Sequence, residues 1–172
     1  MKSINYLIFI SIGISLLFAC QPQDAPTNVA ETTSAITEKI DSTGFVLTLE
    51  KHLQALTDRD LVALESTLSP QGDMFLILPQ TPVSTKVSEF MDFHRGWFPD
   101  TTWTISNKII HTDIQAQMGI ALVEALYTEP ERDGQPYFNR MHVSYALRKM
   151  DGQWYVVKDH MCSFEKSTDP QK

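Results

Sequence analysis

Three ionisable residues interrupt an otherwise apolar strand near the end of the chain, in the stretch WYVVKDHMCSF that begins at Trp154. In an extended strand, alternate side chains point to opposite sides, so Lys158 and His160 share one face and Asp159 takes the other. Charged groups that enter a core are costly unless they pair with each other or line a cavity that holds water or a ligand. An imidazole, with an unperturbed pKa of about 6.5, can also move protons at neutral pH. This strand therefore predicts a site for binding or acid–base chemistry.

Two Asp-Gly dipeptides, Asp133-Gly134 and Asp151-Gly152, predict two-residue hairpin turns between the last three strands. Counting outward from both turns places Glu124, Val143 and His160 in one row. Glu124 and His160 would then lie about 9.6 Å apart between backbones, which is two strand spacings. The predicted core face that holds this row consists of Ile120, Leu122, Glu124, Leu126, Met141, Val143, Tyr145, Leu147, Trp154, Val156, Lys158 and His160.

The polar residues of this face are the candidate site. His160 and Glu124 are the candidate catalytic pair, because an imidazole with a pKa near neutral can move a proton in an acid–base reaction. Tyr145 and Lys158 are candidate pocket residues that would stabilise developing negative charge, and Val143 lies between the pair. The alternative is a hydrogen-bonded polar network without a ligand.

The opposite face offers a second arrangement. His142 and Asp159 lie diagonally there, and we interpret them as solvent or interface residues. If the strand were slipped by one residue, the faces would exchange and His142 and Asp159 would become the pocket pair. His52 and His94 lie on helix stripes, where a core or pocket-rim histidine is expected. Because no two histidines have metal-ligand spacing, we expect no metal, and nothing in the sequence indicates another cofactor.

Two tryptophans and one cysteine complete the set of candidates. Trp97 and Trp103 are expected to line or close the pocket mouth, although core packing explains them as well. Cys162, inside a strand, is expected to be a small buried hydrophobic residue rather than a reactive thiol.

The first twenty residues, MKSINYLIFISIGISLLFAC, have one basic residue before an apolar run, which predicts a signal peptide over residues 1–19. The sequence Leu17-Phe18-Ala19-Cys20 resembles the lipobox of bacterial lipoproteins. That resemblance implies cleavage before Cys20 and its acylation with chains such as palmitate, which would anchor the domain to a membrane. Gln21, where an Asp would favour inner-membrane retention, implies an outer-membrane lipoprotein facing the periplasm. A plain secretory signal with another cleavage site is the alternative.

The rest of the chain divides by composition. Residues 20–42 are predicted to be a lipidated cysteine and flexible tether, residues 43–166 one domain, and residues 167–172 a tail. The formal net charge of −7 argues against nucleic acid and anionic lipid surfaces as partners. With Cys20 acylated, Cys162 has no intramolecular disulfide partner.

Helical periodicity comes first in the domain and strands follow, a pattern typical of the α+β class. One helix carries Phe45 to Leu56, a second Leu61 to Leu68, and a third runs from about Ser84 to Pro99, with the buried strand DMFLILP between the last two. Asp58 or Asp60 is expected to cap the second helix. The later strands are predicted at about 101–112, 115–128, 137–149 and 153–165.

The helix pair LEKHLQALTDRDLVALESTLSP, the strand DMFLILP and the ending ALRKMDGQWYVVKDHMCSF resemble the SnoaL-like branch of the nuclear transport factor 2 (NTF2)-like superfamily. In the last hairpin Asp151, Gly152, Trp154 and His160 match that branch, whereas Lys158 replaces a common His and Cys162 a common Ser. The resemblance implies a cone of three N-terminal helices packed on a curved antiparallel sheet. Members include isomerases, cyclases, dehydratases, non-catalytic binders and assembly domains, so the fold leaves the reaction open.

Three functions remain open. The leading hypothesis is a membrane-anchored lipoprotein whose cavity binds a small, partly apolar molecule. The second is an isomerase, dehydratase or hydrolase that uses His160 and Glu124, and the third is a non-catalytic dimeric interaction module of the cell envelope. A homodimer is expected through the reverse sheet face, which is predicted to contain Gly119, Ala121, Val123, Ala125, Tyr127, Ser144, Ala146, Tyr155, Val157 and Met161. A cavity of a few hundred Å³ with converging polar groups would favour the first two hypotheses.

Overall fold

The computed structural model describes residues 40–169. The predicted signal peptide, Cys20, nearly all of the predicted tether and the last three residues of the predicted tail lie outside this range. The described elements, in chain order, are α1 (Ser42–Asp58), α2 (Leu61–Glu65), β1 (Asp73–Ile77), β2 (Ser84–Lys86), α3 (Val87–Trp97), β3 (Thr104–Ile114), β4 (Met118–Arg132), β5 (Gln135–Met150) and β6 (Gln153–Lys166). None of the helices in these residues is long and apolar enough to cross a membrane.

Local signals account for the helix ends. The Asp41 side chain accepts a hydrogen bond from the Gly44 backbone N–H and caps α1, which ends where Arg59 adopts a left-handed conformation. The Asp60 side chain accepts from the N–H groups of Val62 and Ala63 and caps α2, so the choice between Asp58 and Asp60 falls on Asp60. The predicted apolar stripe of α1 is buried, and consists of Phe45, Leu49, His52, Leu53 and Leu56.

The strands form one six-stranded curved sheet in the order β2-β1-β6-β5-β4-β3. The prediction of an antiparallel sheet is wrong for one pairing, because β1 runs parallel to β6, with Leu76 opposite Asp159. The short strand β2 pairs with β1 and was not predicted. Hairpin counting could not detect the β1–β6 pairing, since it joins strands far apart in the chain.

Both predicted Asp-Gly turns form, and all four turn residues have positive φ, as a type I′ hairpin requires. Beyond the first turn, however, a β-bulge changes the register of β4. Arg132 pairs with Gln135 as predicted, but Glu129 pairs with Tyr137, so two residues of β4 lie opposite one residue of β5. From this bulge onward β4 presents the opposite set of side chains to the core. The predicted inward position of Glu124 is therefore wrong.

A second bulge changes β6. Leu147 pairs with Val156 as predicted, but Ala146 pairs with Lys158, so Val157 is the extra residue. Val156 and Val157 are both buried, and beyond them the faces of β6 exchange. Asp159 is buried on the inner face, whereas Lys158 and His160 lie on the outer face, contrary to prediction.

In β5, the side chains that were predicted to face the core do so. In most of β4 and in β6 beyond Val157 the opposite side chains face the core, so the core face combines residues that were predicted on both sides of the sheet. The rows across the inner face are Asn107–Ala125–Met141–Ser163, Ile109–Val123–Val143–Met161, Thr112–Ala121–Tyr145–Asp159 and Ile114–Gly119–Leu147–Val156. The helices α1 and α3 pack against the sheet, α1 on β3 and β6 and α3 on β1 and β2.

The outer sheet face also differs from the prediction. Ala121, Val123, Ala125 and Val157, which were expected on an exposed apolar surface, are buried in the core. The large apolar side chains exposed on the outer face are instead Phe75, Ile110, Met118, Ile120 and Phe164. Cys162 is exposed there as well, so the expectation that it is buried is wrong.

Candidate functional site

A cavity of about 230 Å³ lies inside the curve of the sheet, between the end of α3 and the hairpin of β4 and β5. Its lining is mainly aromatic and aliphatic, with Arg132 and Asn139 as the polar members. The lining residues are Leu78, Phe93, Trp97, Ile105, Tyr127, Arg132, Tyr137, Asn139, Met141 and Met161.

Trp97 forms one wall of this cavity and is held by aromatic neighbours. Its ring stacks on Trp103 with centroids 4.2 Å apart, and Trp103 is itself buried. The guanidinium of Arg59 covers Trp103 at 3.9 Å from the ring centroid and donates a hydrogen bond to the Trp103 carbonyl. The structure thus places Trp97 on the cavity wall and Trp103 behind it.

The rim of the cavity carries a charge-balanced group. The Tyr127 hydroxyl donates a hydrogen bond to Glu129 at 2.6 Å, and Arg132 forms an ion pair with the same carboxylate. The Arg132 guanidinium also covers the ring of Tyr137, 3.5 Å from its centroid. Burial and the neighbouring Glu129 carboxylate raise the pKa of Tyr127, while the hydrogen bond from Arg132 holds the pKa of Glu129 below its usual value. Because Glu129 already neutralises Arg132, the rim favours a neutral ligand over an anion.

The floor of the cavity is formed by Met141 and Met161. Asp159 lies two residues from Met161 on the same face of β6, which corresponds to about 6.6 Å along the strand. The Met161 row contains Val143, and the next row contains Tyr145 and Asp159. Apolar side chains therefore separate the cavity from a deeper polar cluster.

Asp159 is the most unusual member of that cluster. Its side chain is fully buried, and neither carboxylate oxygen has a hydrogen-bond partner. Burial raises the pKa of Asp159 to about 7, since a charged carboxylate is poorly solvated in the core. Tyr145 lies opposite it, and its pKa is raised by burial and by the Asp159 charge.

His52 of α1 contacts Tyr145 of this cluster and has a defined tautomer. Its Nδ1 lies 2.7 Å from the Thr67 hydroxyl, which donates its own proton to the Leu64 carbonyl at 2.6 Å. With that proton used, the hydroxyl can only accept from His52, so the ring proton is on Nδ1. Nε2 is buried and has no partner, and the ring meets Tyr145 edge to face at 5.5 Å. Burial lowers the pKa of His52 to about 3, with the charge of His94 adding to the effect.

His94 of α3 is the second buried imidazole. Its Nδ1 lies 2.7 Å from the Phe90 carbonyl, and because a carbonyl oxygen only accepts, Nδ1 carries the proton. Burial lowers the pKa of His94 to about 4, against the opposing effect of this hydrogen bond. Both imidazoles are therefore neutral at pH 7, with Nε2 as the acceptor nitrogen. Both lie in the core, as expected for helix-stripe histidines.

The predicted site residues separate into two groups. Tyr145 and Val143 are buried on the inner face, whereas Glu124, Lys158 and His160 lie on the outer face. His142 is also on the outer face, where its ring stacks on Phe164, so the slipped arrangement holds for Asp159 and fails for His142. Within residues 40–169, no three His, Cys, Asp or Glu side chains are grouped so that they could hold a metal ion.

Sequence reasoning missed Asp159 as an inward group because it missed the bulge at Val157. The bulge in β4 could have been predicted from Pro130, which lies inside it. Proline lacks the N–H needed for a ladder hydrogen bond and occurs in strands mainly at edges and bulges.

Solved structures of other proteins share this fold at low sequence identity. A ketosteroid isomerase-like protein from Erwinia carotovora atroseptica aligns with a TM-score of 0.60 and 16% identity, over 72% of this chain and 95% of that one. A hexachlorocyclohexane dehydrochlorinase, LinA-type3 from Novosphingobium barchaimii LL02, aligns with a TM-score of 0.63 and 11% identity, over 73% and 87%. An NTF-2 like protein of unknown function from Shewanella oneidensis MR-1 aligns with a TM-score of 0.56 and 14% identity, over 69% and 96%.

These structural likenesses show an NTF2-like fold and leave the activity open. The sequence matches no curated protein. It does match the SnoaL-like domain over residues 47–164, which is more than half of the chain and includes the cavity, its floor and the buried cluster. The chain therefore belongs to the SnoaL-like domain family.

Proposed function

We propose that this domain binds a small, neutral, ring-shaped molecule in the aromatic cavity. The observation that carries the proposal is the cavity of about 230 Å³ with Phe93, Trp97, Tyr127 and Tyr137 in its lining. An apolar protein cavity of about 150 Å³ holds one benzene ring, so this space suits about two fused rings. Aromatic walls favour a planar ring through offset and edge-to-face contacts.

Equilibrium dialysis with 2-methylnaphthalene tests this proposal. Trp97→Ala should weaken binding at least tenfold, because it removes a wall of the cavity. Phe164→Ala is the matched control, since it truncates an aromatic residue on the outer sheet face and should leave binding unchanged. Equal dissociation constants for all three proteins, or no binding to any, would refute the cavity as a ligand site. Mass spectrometry of molecules retained by the purified protein would identify the natural ligand.

A second candidate function, acid–base catalysis, is favoured by Asp159. A buried carboxyl whose pKa is about 7 can accept and return a proton near neutral pH, and Tyr145 lies opposite it. Such a group would take a proton from carbon next to a carbonyl and return it to the enolate. His160 and Glu124 are not part of this proposal, because both lie on the outer face.

Exchange of the α-protons of 2-tetralone in deuterium oxide, followed by NMR, tests the catalytic candidate. Wild type should accelerate exchange and Asp159→Asn should lose the acceleration, whereas His160→Gln should retain it. Exchange at the uncatalysed rate with wild type, despite measured binding of the ketone, would leave binding as the function and reject this general base.

We also propose that two copies associate through the outer sheet face. Ile110, Met118, Ile120 and Phe164 are each more than a third exposed there, and large apolar side chains exposed on a sheet face are commonly covered by a partner. Ile120→Lys would place a charge in that interface, whereas Val62→Lys, on exposed α2, is the control. Sedimentation should show a dimer for wild type and the control, and a monomer for Ile120→Lys. A monomeric wild type would exclude the interface.

Attachment to a membrane through acylated Cys20 remains a proposal based on the N-terminal sequence alone, and so does an outer-membrane location facing the periplasm. Cys20→Ala should prevent labelling with palmitate and move the protein from the detergent phase to the aqueous phase. Retention in the detergent phase would disprove the anchor.

A further inference from the structure

Among the buried polar atoms of residues 40–169 that lack hydrogen-bond partners, three belong to Asp159 and His52, the neighbours of Tyr145, and all three are acceptors when the Asp159 carboxyl is ionised. They are Oδ1 and Oδ2 of Asp159 and Nε2 of His52. Nε2 is an acceptor because the hydrogen bonds through Thr67 hold the His52 proton on Nδ1. Buried polar atoms are rarely left without partners, because an unmade hydrogen bond in the core carries the full cost of desolvation. Above the pKa of Asp159, an occupant that satisfies these atoms must therefore supply a donor.

Along β6, Met161 is the inner-face residue between Asp159 and the aromatic cavity. Met161 lines the cavity, and Asp159 is the next inward residue on the same strand. Methionine has an unbranched, flexible side chain that adopts several conformations at little cost. Val143, the cross-strand neighbour of Met161, is β-branched and stiffer. Movement of Met161 would therefore open a route from the cavity toward Asp159.

We propose that Met161 is a movable floor, and that the ligand is a cyclic molecule with a hydroxyl or amine group that displaces Met161 and donates a hydrogen bond to Asp159. The inference rests on the proposed function, because the ring must occupy the aromatic cavity for its donor to reach beneath the floor. It adds two properties that the cavity alone does not give. The ligand must carry a donor, and Met161 determines how deeply it enters.

Two probes of similar shape separate the donor from the ring. 2-Naphthol carries a hydroxyl where 2-methylnaphthalene carries a methyl group, and both are measured by equilibrium dialysis at pH 8. Wild type should bind 2-naphthol about tenfold more tightly or better, which is typical of a hydrogen bond to a charged acceptor. Asp159→Ala should reduce this preference to within about threefold while still binding both probes. A wild-type preference that survives in Asp159→Ala would overturn the proposal.

Variants of Met161 test the floor. Met161→Ile keeps an apolar side chain but is β-branched and stiff, so it should weaken binding of 2-naphthol while leaving toluene, which fits above the floor, unaffected. Met161→Ala should strengthen 2-naphthol binding and retain its preference over 2-methylnaphthalene. Equal effects of Met161→Ile on 2-naphthol and toluene would mean that the floor does not move for the larger ligand, and would reject the gate.

The outcomes separate this inference from the function on which it rests. If toluene, 2-methylnaphthalene and 2-naphthol all fail to bind, the aromatic cavity itself is rejected. If the probes bind in a way that depends on Trp97, but with equal affinity for 2-naphthol and 2-methylnaphthalene, the cavity stands and the donor site is rejected. In that case buried water satisfies the three acceptors permanently.

Discussion

Replacing Asp159 by Asn should remove the pH dependence of stability that results from burial of the Asp159 carboxyl. The carboxyl is fully buried, and its pKa is raised from 3.8 to about 7. Below pH 3.8 the side chain is neutral in both the folded and the unfolded protein. Between pH 3.8 and 7 the unfolded chain releases the proton while the folded chain keeps it, so the folded state becomes less favoured as pH rises. Asn has nearly the same shape and does not ionise, so the variant should not lose stability over this pH range.

The magnitude follows from the shift in pKa. A shift of one unit corresponds to about 1.4 kcal/mol, so the full change between pH 3.8 and 7 amounts to about 4 kcal/mol. The difference in unfolding free energy between Asp159→Asn and wild type should therefore grow in favour of the variant by about 1.4 kcal/mol per pH unit between pH 5 and 6, and by less as the pH approaches 7. Above the folded pKa of about 7, the difference should become constant.

Urea denaturation at half-unit intervals from pH 5 to 8 measures this difference. The buried histidines titrate alike in both proteins, so their contribution cancels on subtraction. A difference that stays flat over this range would show that Asp159 keeps an ordinary pKa, through solvent or a partner in the core. A difference that changes in favour of wild type would mean that the carboxylate is stabilised as an anion, and would refute the burial argument.

The remaining predictions concern other buried groups. Burial lowers the pKa values of His52 and His94 to about 3 and 4, so the unfolded chain binds protons at a higher pH than the folded protein does. The free energy of unfolding should therefore fall as the pH drops below about 6.5. His94→Gln should reduce this fall in urea denaturation, and the same dependence of unfolding free energy on pH in the variant would contradict the prediction. Thr67→Val should cost about 1–2 kcal/mol and shift the ¹⁵N signals of His52, since its Nδ1–H loses its acceptor; unaltered signals would contradict the assigned tautomer. Gly119→Ala should destabilise by about 1–3 kcal/mol, because the new Cβ would lie 2.6 Å from Phe45 Cε2, whereas Gly96→Ala, with open space around its Cβ, should be neutral or stabilising in thermal melts.

The parts of this protein that depend on short-range interactions were predictable from its sequence. The buried stripe of α1 follows from helical spacing, and the cap at Asp60 follows from a side chain that satisfies free N–H groups within three residues. Both Asp-Gly turns form because Asp and Gly tolerate positive φ at low cost. The α+β class and the family likeness rest on these same local patterns.

The candidate site was decided by tertiary structure. One extra residue at Val157 turns Asp159 into the core and His160 out of it. One extra residue beside Pro130 likewise turns Glu124 out of the core and its neighbours Val123 and Ala125 into it. Strand side chains alternate with a period of two, so an error of a single residue exchanges the entire face. Asp159 also lies opposite Leu76 of the parallel strand β1, so its surroundings depend on a pairing between distant segments that local sequence patterns do not specify.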